Sequence, residues 1–529
     1  MRSEDRKANP VFGREARNGT TAVCITALVI GLVITFLVYR PDRVLPFDFV
    51  DFSEFLPLLR RDSALERLDA LFDYYLGQQG RANVVAYVGL ALKWELFQDY
   101  SPAWQWIRFG VMWCVIILTY RVLRRIGGTP LSSIAGATVF TFSPPAVDGW
   151  TRLTMAEPMG TVLLLAATLL ALAVPREPSR EIRVGLGFAV LCVVMVLLKE
   201  MMAAVLLFPI ALVLALPARL LGFPRLLRAR TLVIAAVIAI PLASIPVVVT
   251  MLAARSDAYT ADFGSKFRPI GDVFAQWSLG VLPFSPGTSF PPMLVGLALV
   301  SMALVLIGGW TLRLRKSATR TDDHRLMFWV AVVFPLFGAA TYLPWPSYNR
   351  FYAIPFLLGG AILASGALTE LEANSKRLAM GGYAAWLMFL VFAGADALNQ
   401  SNRMAERQRI NRDVVVRLSA ERSVTDTVFL ATEQQPPTFW QGIGPTLQRY
   451  GEALGYPMPR VINARCEDSR RMASSGQHAV IFYNSLCPTT PAGVVLAARY
   501  HVMRLPSLRP IPDSIRVDIV LPSSQVRLP

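Results

Sequence analysis

Charge is scarce in this chain. Asp, Glu, Lys and Arg make up 17% of its 529 residues, whereas a soluble protein carries about 25%. Histidine occurs three times, at well separated positions, so catalysis by imidazole has little support. Apolar residues reach 54% with a mean hydropathy of +0.45. These proportions exclude a disordered chain, a coiled coil and a soluble multidomain enzyme.

Long apolar runs replace the missing charge. Runs of about 20 apolar residues are typical of helices that cross a bilayer. The first run follows a basic segment but is too long for the core of a signal peptide, so we expect an uncleaved span. The sequence predicts eleven spans, at about 20–39, 106–123, 129–144, 157–175, 184–199, 200–217, 231–253, 291–311, 326–343, 351–369 and 378–396.

The positive charges predict the direction of these spans. Lys and Arg number 22 in six short segments that an inside N-terminus would place in the cytoplasm: 1–19, 121–125, 176–183, 219–230, 313–325 and 376–377. The short loops 145–156 and 344–350 carry one cation each. Cytoplasmic loops are the basic ones. The net charge of +16 therefore indicates membrane orientation and not nucleic-acid binding.

The same topology predicts three parts of the chain. Residues 1–19 form a cytoplasmic segment, residues 20–396 form the membrane domain, and residues 397–529 lie outside the cell. The membrane domain has long outer loops at 40–105 and 254–290. In the tail, the strand-like TVFLA and HAVIFYN alternate with helical segments, which predicts a small α/β domain.

Two of the five cysteines lie in this tail. Cys466 and Cys487 could form a disulfide that closes a loop of about 20 residues and contributes about 3 kcal/mol. The alternative is two unpaired buried thiols. The other three cysteines fall inside apolar runs, where cysteine acts as a small apolar residue.

Acidic residues open the first outer loop. In LPFDFVDFSEF, Asp48, Asp51 and Glu54 recur every three residues among phenylalanines. A carboxylate that is partly desolvated at the membrane surface has a raised pKa and becomes a better general base. A solvated acidic face of an interfacial helix would give the same pattern.

Other charges lie beside the predicted spans. Glu157 precedes Pro158 at the start of a span, where an acid suits the positive end of the helix dipole. Lys199 and Glu200 interrupt two apolar runs; they could pair with each other, or Lys199 could bind a lipid-linked phosphate. Arg350 follows Tyr348 and Asn349 just before another span. Its guanidinium could bind phosphate oxygens at two points, or it could anchor the helix at the membrane interface.

The order of these features resembles the GT-C membrane glycosyltransferases, particularly bacterial relatives of protein O-mannosyltransferases and of lipid A aminoarabinose transferases. The resemblance covers residues 20–396. It rests on the acidic first loop, the Gly80-Arg81 pair, RVLRRIGG, FSPPAVDGWTRLTMAEPMG, the Lys199-Glu200 turn and NRFYAIP. It implies a polytopic α-helical membrane fold of the GT-C type with a soluble outer domain.

The resemblance also implies residue roles. The first-loop acid that deprotonates the acceptor hydroxyl corresponds to Asp48 or Asp51, and the second-loop acid corresponds to Glu157. The implied contacts to the carrier phosphate are Lys199, Arg350, Arg81, Arg152 and Tyr348. Some family members use a divalent metal ion and others do not, so the cofactor stays open.

The implied activity is transfer of a sugar from a polyprenyl-phosphate donor to a glycan, lipid or protein acceptor on the outer side of the plasma membrane. The alternatives are a lipid-linked-sugar transporter or flippase and a polysaccharide polymerase or ligase. A transporter typically shows internal repeats and charges at mid-membrane. Here no repeat is visible, and the acids fall in loops.

Overall fold

The computed structural model describes most of the chain. The described residues are 29–39, 55, 57–78, 83–98, 101–151, 156–173, 179–200, 202–216, 224–253, 271, 292–317, 323–340, 350–420, 427–432, 443–475, 478–483, 495–499 and 516–520.

Helices account for nearly all of the described residues before 421. They are α1 (Val29–Tyr39), α2 (Ala64–Phe72), α3 (Val84–Phe97), α4 (Ser101–Arg125), α5 (Pro130–Thr141), α6 (Pro144–Thr151), α7 (Glu157–Ala171), α8 (Ser179–Leu198), α9 (Met202–Val205), α10 (Leu207–Ala215), α11 (Arg225–Ala253), α12 (Pro292–Ser317), α13 (Asp323–Ala340), α14 (Leu358–Asn374) and α15 (Lys376–Ala420). A π-helical turn, Asp73–Gln78, follows α2, and a 3₁₀ helix, Arg350–Leu357, precedes α14.

Six described helices are long and apolar enough to cross a membrane. These spans lie at Ala103–Arg125, Glu181–Leu198, Arg225–Val249, Leu297–Leu314, Ala353–Asn374 and Lys376–Asn402. Shorter apolar helices lie at Val29–Tyr39, Glu157–Ala171, Met202–Ala215 and Arg325–Gly338. Length and composition thus support a multi-pass helical membrane protein, while the number of eleven spans remains a prediction.

Three of the predicted spans differ in detail from the helices that form. The run at 200–217 is divided into α9 and α10 at Leu206, and the run at 351–369 begins as the 3₁₀ helix before continuing as α14. The last run continues without a break from Lys376 to Ala420. The predicted domain boundary after residue 396 therefore falls inside α15.

Local signals start some of these helices. Thr129 caps α5 by accepting a hydrogen bond from the Ser132 N–H through its hydroxyl at 3.2 Å, with Pro130 in the first helical position. Ser63 caps α2 in the same way, accepting from the Glu66 N–H at 3.1 Å. Each cap satisfies an N–H group that the helix itself leaves without a partner.

Small residues bring the helices together. A Cβ atom added to Gly309 on α12 would lie 2.6 Å from the Ala367 carbonyl oxygen on α14, and one added to Gly136 on α5 would lie 2.6 Å from the Ala361 carbonyl oxygen. Apolar surface gains nothing by leaving lipid, so close backbone approach is the usual means of packing membrane helices. The apolar bundle core forms around α14, whose span is 78% buried.

A buried arginine joins three helices at one end of the bundle. Arg228 on α11 is fully buried, and its Nε and Nη2 donate to Glu181 Oε2 and Oε1 on α8, both at 2.8 Å. Its Nη1 also donates to the carbonyl oxygens of Ala171 at 2.8 Å and Ala173 at 3.0 Å, at the end of α7. Arg228 therefore neutralises a carboxylate and caps a helix C-terminus at once.

The tail contains a five-stranded sheet. Its elements are β1 (Thr427–Ala431), α16 (Ile443–Ala453), β2 (Arg460–Ala464), α17 (Cys466–Ser475), β3 (Ala479–Tyr483), β4 (Val495–Arg499) and β5 (Arg516–Val520). The strand order is β2-β1-β3-β5-β4. Strand β1 is parallel to β2 and β3, whereas β5 is antiparallel to β3 and β4. Both strand-like segments noted in the sequence lie in this sheet.

The tail shares a hydrophobic cluster with the first long loop. The cluster includes Leu59, Leu71, Tyr87, Leu90, Trp94 and Trp104 from the loop and the start of α4, and Ile410, Val414, Leu418, Val428, Leu447 and Ile481 from the tail. The end of α15 supplies Ile410, Val414 and Leu418, so this helix links the bundle to the sheet. The two predicted outer segments therefore pack as one body.

Only one cysteine of the predicted disulfide, Cys466, lies among the described residues. Cys466 begins α17 and is buried. It is not one of the free cysteines of the described residues, which are Cys114 and Cys192. Because Cys487 lies outside the described residues, the Cys466–Cys487 pairing stays a prediction.

Candidate functional site

Glu157 occupies the first position of α7 and is fully buried. Ala156 before it offers no side-chain cap, and Pro158 after it has no N–H to satisfy. A negative charge at this position is favoured by the helix dipole. The dipole accounts for an acid at the start of α7, but it does not account for complete burial of that acid.

Lys199 supplies the partner of this carboxylate. It follows the last residue of α8, and its carbonyl oxygen accepts a hydrogen bond from the Met202 N–H at 2.9 Å as the chain turns into α9. Its Nζ donates to Glu157 Oε1, and the exposed fractions of the Lys199 and Glu157 side chains are 13% and 1%. The structure thus brings together two of the predicted site residues, 42 positions apart in sequence.

Tight packing holds the two helices in this register. A Cβ atom at Gly160, one turn after Glu157, would lie 2.6 Å from Met202 Cε and 2.8 Å from Met202 Sδ. Met202 is itself buried, three residues after Lys199. A side chain at Gly160 would first displace the flexible end of Met202. Gly160 and Met202 therefore pack the start of α7 closely against the segment that follows Lys199.

The second carboxylate oxygen of Glu157 is left unsatisfied. Glu157 Oε2 is buried and has no hydrogen-bond partner among the described residues. A buried polar atom without a partner costs about 1–3 kcal/mol, and more when it is charged. Such an oxygen can accept a hydrogen bond from a ligand hydroxyl or bind a cation. No group of three or more metal-ligating side chains occurs in the described part of the chain.

The backbone of Arg350 begins the neighbouring 3₁₀ helix. This helix packs against both α6 and α7. A Cβ atom added to Gly149 on α6 would lie 2.2 Å from Ile354 Cδ1 and 3.7 Å from Pro158 Cγ. The start of α7, the end of α6 and the 3₁₀ helix that begins at Arg350 are therefore in contact.

The remaining predicted site residues fall outside the described part of the chain. They are Asp48, Asp51, Arg81, Arg152 and Tyr348. In the sequence, Asp48 and Asp51 lie between α1 and α2, Arg81 lies three residues before α3, Arg152 lies between α6 and α7, and Tyr348 lies two residues before the 3₁₀ helix. Their assignment to the site stays a prediction.

Two cations near this end were missed by sequence reasoning. Arg108 lies in the first turns of α4, and its Nη2 donates to Gln105 Oε1. Lys93 lies on α3 with its Nζ 6.0 Å from the centre of the Trp104 ring. Burial lowers the pKa of Lys93, and the nearby Arg108 charge lowers it further. An ionisable residue inside an otherwise apolar span was the signal that could have identified Arg108.

The comparisons with known proteins include distant matches to solved structures. No family model matches the chain, and no curated protein does. The crystal structure of ArnT from Cupriavidus metallidurans bound to undecaprenyl phosphate is 12% identical, with 95% of this chain and 99% of that chain covered and a TM-score of 0.43. The apo structure of the same protein is also 12% identical, with 96% of this chain and 99% of that chain covered and a TM-score of 0.47.

A cryo-EM structure of the arabinofuranosyltransferase AftD from Mycobacteria is 14% identical. The match covers 94% of this chain and 40% of that chain, with a TM-score of 0.49. At these identities and TM-scores the likenesses concern the fold alone, and no functional inference rests on them.

Proposed function

We propose that this protein is a membrane glycosyltransferase that moves a sugar from a polyprenyl-phosphate-linked donor to an acceptor on the extracytoplasmic side. The buried Glu157–Lys199 pair carries the proposal. Two opposite charges at the ends of apolar helices are costly to bury, so their presence here favours a functional use over a purely structural one. The acceptor class is a cell-envelope glycan, lipid or protein.

The proposed reaction is a single displacement. The acceptor hydroxyl oxygen attacks the anomeric carbon of the sugar, and the bond between that carbon and the phosphate oxygen breaks. The electron pair leaves with the polyprenyl phosphate, while the hydroxyl proton passes to the carboxylate of Asp48 or Asp51. Attack from the face opposite the phosphate inverts the anomeric configuration.

The cations serve the leaving group. Negative charge builds on the phosphate as the bond breaks, and a fixed cation in a site of low dielectric stabilises that charge. We assign this role to Lys199 and Arg350, assisted by Arg81, Arg152 and Tyr348. Glu157 holds the Lys199 ammonium in place through Oε1 and can accept a hydrogen bond from a sugar hydroxyl through Oε2.

The orientation follows from the basic segments. We place the N-terminus in the cytoplasm and the end of the bundle with Glu157 and Lys199 at the outer face. The Arg228–Glu181 end, where α4 also finishes in Arg124 and Arg125, is then cytoplasmic. The tail sheet lies outside, and the enzyme resides in the plasma membrane.

The test is a transfer assay with the full chain in proteoliposomes. A panel of polyprenyl-phosphate-linked sugars with radiolabelled sugar identifies the donor, and transfer or release of the label is measured. We expect Asp48→Asn or Asp51→Asn to abolish turnover, and Glu157→Gln and Lys199→Met to lower it by at least 100-fold, since a fixed charge that stabilises a transition state contributes about 10²–10³ in rate. Asp62→Asn changes an exposed acid of the same outer loop and serves as the matched control.

Two results would count against the proposal. Full activity in both aspartate single variants and in their double variant would show that neither Asp48 nor Asp51 is the general base. Transport of the intact lipid-linked sugar across the bilayer without glycosidic cleavage would favour a flippase. Folding of each variant is checked by its elution from a gel-filtration column in detergent.

A further inference from the structure

Helix α3 exposes a row of apolar side chains, the apolar row, which consists of Val85, Val88, Leu92 and Leu96. These residues recur at the three- and four-residue spacing of one helix face. Leu92 is 59% exposed and Leu96 is 72% exposed. The packing of α3 comes from its opposite face, which is buried in the hydrophobic cluster of the outer segments: Tyr87, Leu90, Ala91 and Trp94. A surface helix with one buried apolar face normally presents a polar face outwards, so the apolar row indicates a neighbour other than water.

Helix α2 of the same loop has a polar surface instead. It packs against α3, and its exposed residues include Glu66 and Asp69. Arg67 on α2 is buried and donates to Glu95 Oε2 on α3, beside the apolar row. The loop therefore presents an acidic surface on α2 and an apolar surface on α3. Such a division is typical of a segment at the boundary between water and lipid.

Helix α3 lies where the chain enters the membrane. Three residues separate its end at Phe97 from the start of α4 at Ser101, and the apolar span of α4 begins at Ala103. Helix α3 also packs against α4 and against α8, which is another span. Trp106, in the first turn of the α4 span, is 52% exposed, as is common for tryptophan at the membrane surface. The end of α3 therefore lies at the level of that surface.

Helix α3 is too short to cross the bilayer. Its 14 residues correspond to about 21 Å of helix, whereas the hydrocarbon core is about 30 Å thick. A short helix with an exposed apolar face can lie along the membrane surface instead, with that face about 5–10 Å into the boundary between head groups and acyl chains.

We propose that α3 is an interfacial helix whose apolar row is inserted into the membrane leaflet at this end of the bundle, while α2 lies on its aqueous side. A lipid surface fits the row better than a second protein does, because α3 leads directly into the lipid-facing start of α4. The inserted helix holds the first outer loop at the depth where lipid phosphate groups lie. The proposal does not depend on glycosyl transfer.

The test measures the depth of a fluorescent label on the full chain in proteoliposomes. The dye NBD is attached to Leu92→Cys, Leu96→Cys or Asp69→Cys in a chain whose three cysteines outside the tail are replaced by alanine, and the same chain without the new cysteine gives the background. Phosphatidylcholine with a nitroxide on its acyl chain quenches from the bilayer, and iodide quenches from the water. We expect lipid quenching at Leu92→Cys and Leu96→Cys to exceed that at Asp69→Cys by at least about 3-fold, because the face of an interfacial helix lies below the head groups. Iodide should give the reverse order. Equal iodide quenching at the three positions would overturn the proposal, and so would protection of the α3 positions from both quenchers, which would indicate a protein cover.

A charge variant tests whether the apolar row holds the helix in the leaflet. The reporter is NBD on Val88→Cys, and the variant carries Leu92→Glu and Leu96→Glu together. Lipid quenching of the reporter should fall at least about 2-fold, because interfacial binding scales with the apolar area that is inserted. Leu65→Glu is the matched control, since Leu65 is an exposed leucine on the acidic helix α2, and it should leave the reporter unchanged. Unchanged lipid quenching in the double variant would refute the role of the apolar row.

Discussion

The Glu157–Lys199 pair makes a prediction that distinguishes a catalytic contact from a structural one. Two single variants and one double variant are compared: Lys199→Met, Glu157→Gln and both together. Each single change leaves one buried polar or charged group without its partner, whereas the double change removes both charges. The free energy of unfolding and the activity then respond in different ways.

The burial of each side chain determines how much unfolding free energy each variant should lose. Lys199→Met leaves a carboxylate whose side chain is 1% exposed, so we expect a loss of about 3–5 kcal/mol. Glu157→Gln leaves a lysine that is 13% exposed, whose long chain can move its ammonium towards water, so the loss should be smaller, about 1–3 kcal/mol. The double variant should lie within about 1 kcal/mol of the wild type, because neutral replacement of a buried pair costs little.

The free energies are measured by SDS titration of the purified protein in mixed micelles, followed by intrinsic tryptophan fluorescence. Activity is measured on the same preparations. If the pair takes part in catalysis, the double variant recovers stability but not turnover. A purely structural pair would recover both.

One outcome would refute the physical reasoning itself. If the two single losses add to the double loss within about 0.5 kcal/mol, the side chains do not interact, since additivity is the behaviour of independent sites. A double variant that is stable and fully active would show that the Glu157–Lys199 contact is structural and takes no part in catalysis.

Three further predictions concern the bundle and its outer surface. Arg228→Gln should cost about 3 kcal/mol in unfolding free energy, because the fully buried guanidinium holds the Glu181 carboxylate and the Ala171 and Ala173 carbonyl oxygens. The exposed control Arg230→Gln should stay within about 0.5 kcal/mol. Gly309→Ala should lower the free energy of unfolding by about 1–3 kcal/mol through overpacking. A Cβ atom added to the neighbouring Gly308 meets nothing within 4 Å, so Gly308→Ala should raise the free energy of unfolding by about 0.5–1 kcal/mol. Lys93→Met should stabilise the fold at neutral pH. The lowered folded-state pKa of Lys93 makes its charged form a cost below that pKa, so the gain should shrink as the pH approaches about 10.4; a constant gain would contradict the cause.

The apolar helices were predictable because hydropathy is a local property. The run at 106–123 lies within α4, and the run at 231–253 lies within α11. The helical spacing after Arg403 was visible in the sequence, but the break at Leu206 and the unbroken joining of the last span to that helix in α15 were not predicted. Both depend on packing: α9 turns at Lys199 and packs Met202 against Gly160, and the end of α15 is buried against the tail and first loop.

The contacts of the site were less predictable than its residues. Sequence reasoning identified Glu157 and Lys199 separately and offered Glu200 as the neighbouring partner of Lys199. The structure instead pairs Lys199 with Glu157, 42 positions away. Hydropathy and spacing contain no information about such long-range contacts.

The two buried ion pairs of the bundle differ in a way that bears on function. At the Arg228 end, both oxygens of Glu181 accept hydrogen bonds from one guanidinium. At the Glu157 end, Lys199 reaches only Oε1, and Oε2 has no partner among the described residues. Arginine forms the planar two-point contact that lysine cannot, so a chain selected only for stability would gain by an arginine at position 199. A lysine there leaves one carboxylate oxygen available, which is what a site that binds a hydroxyl group requires.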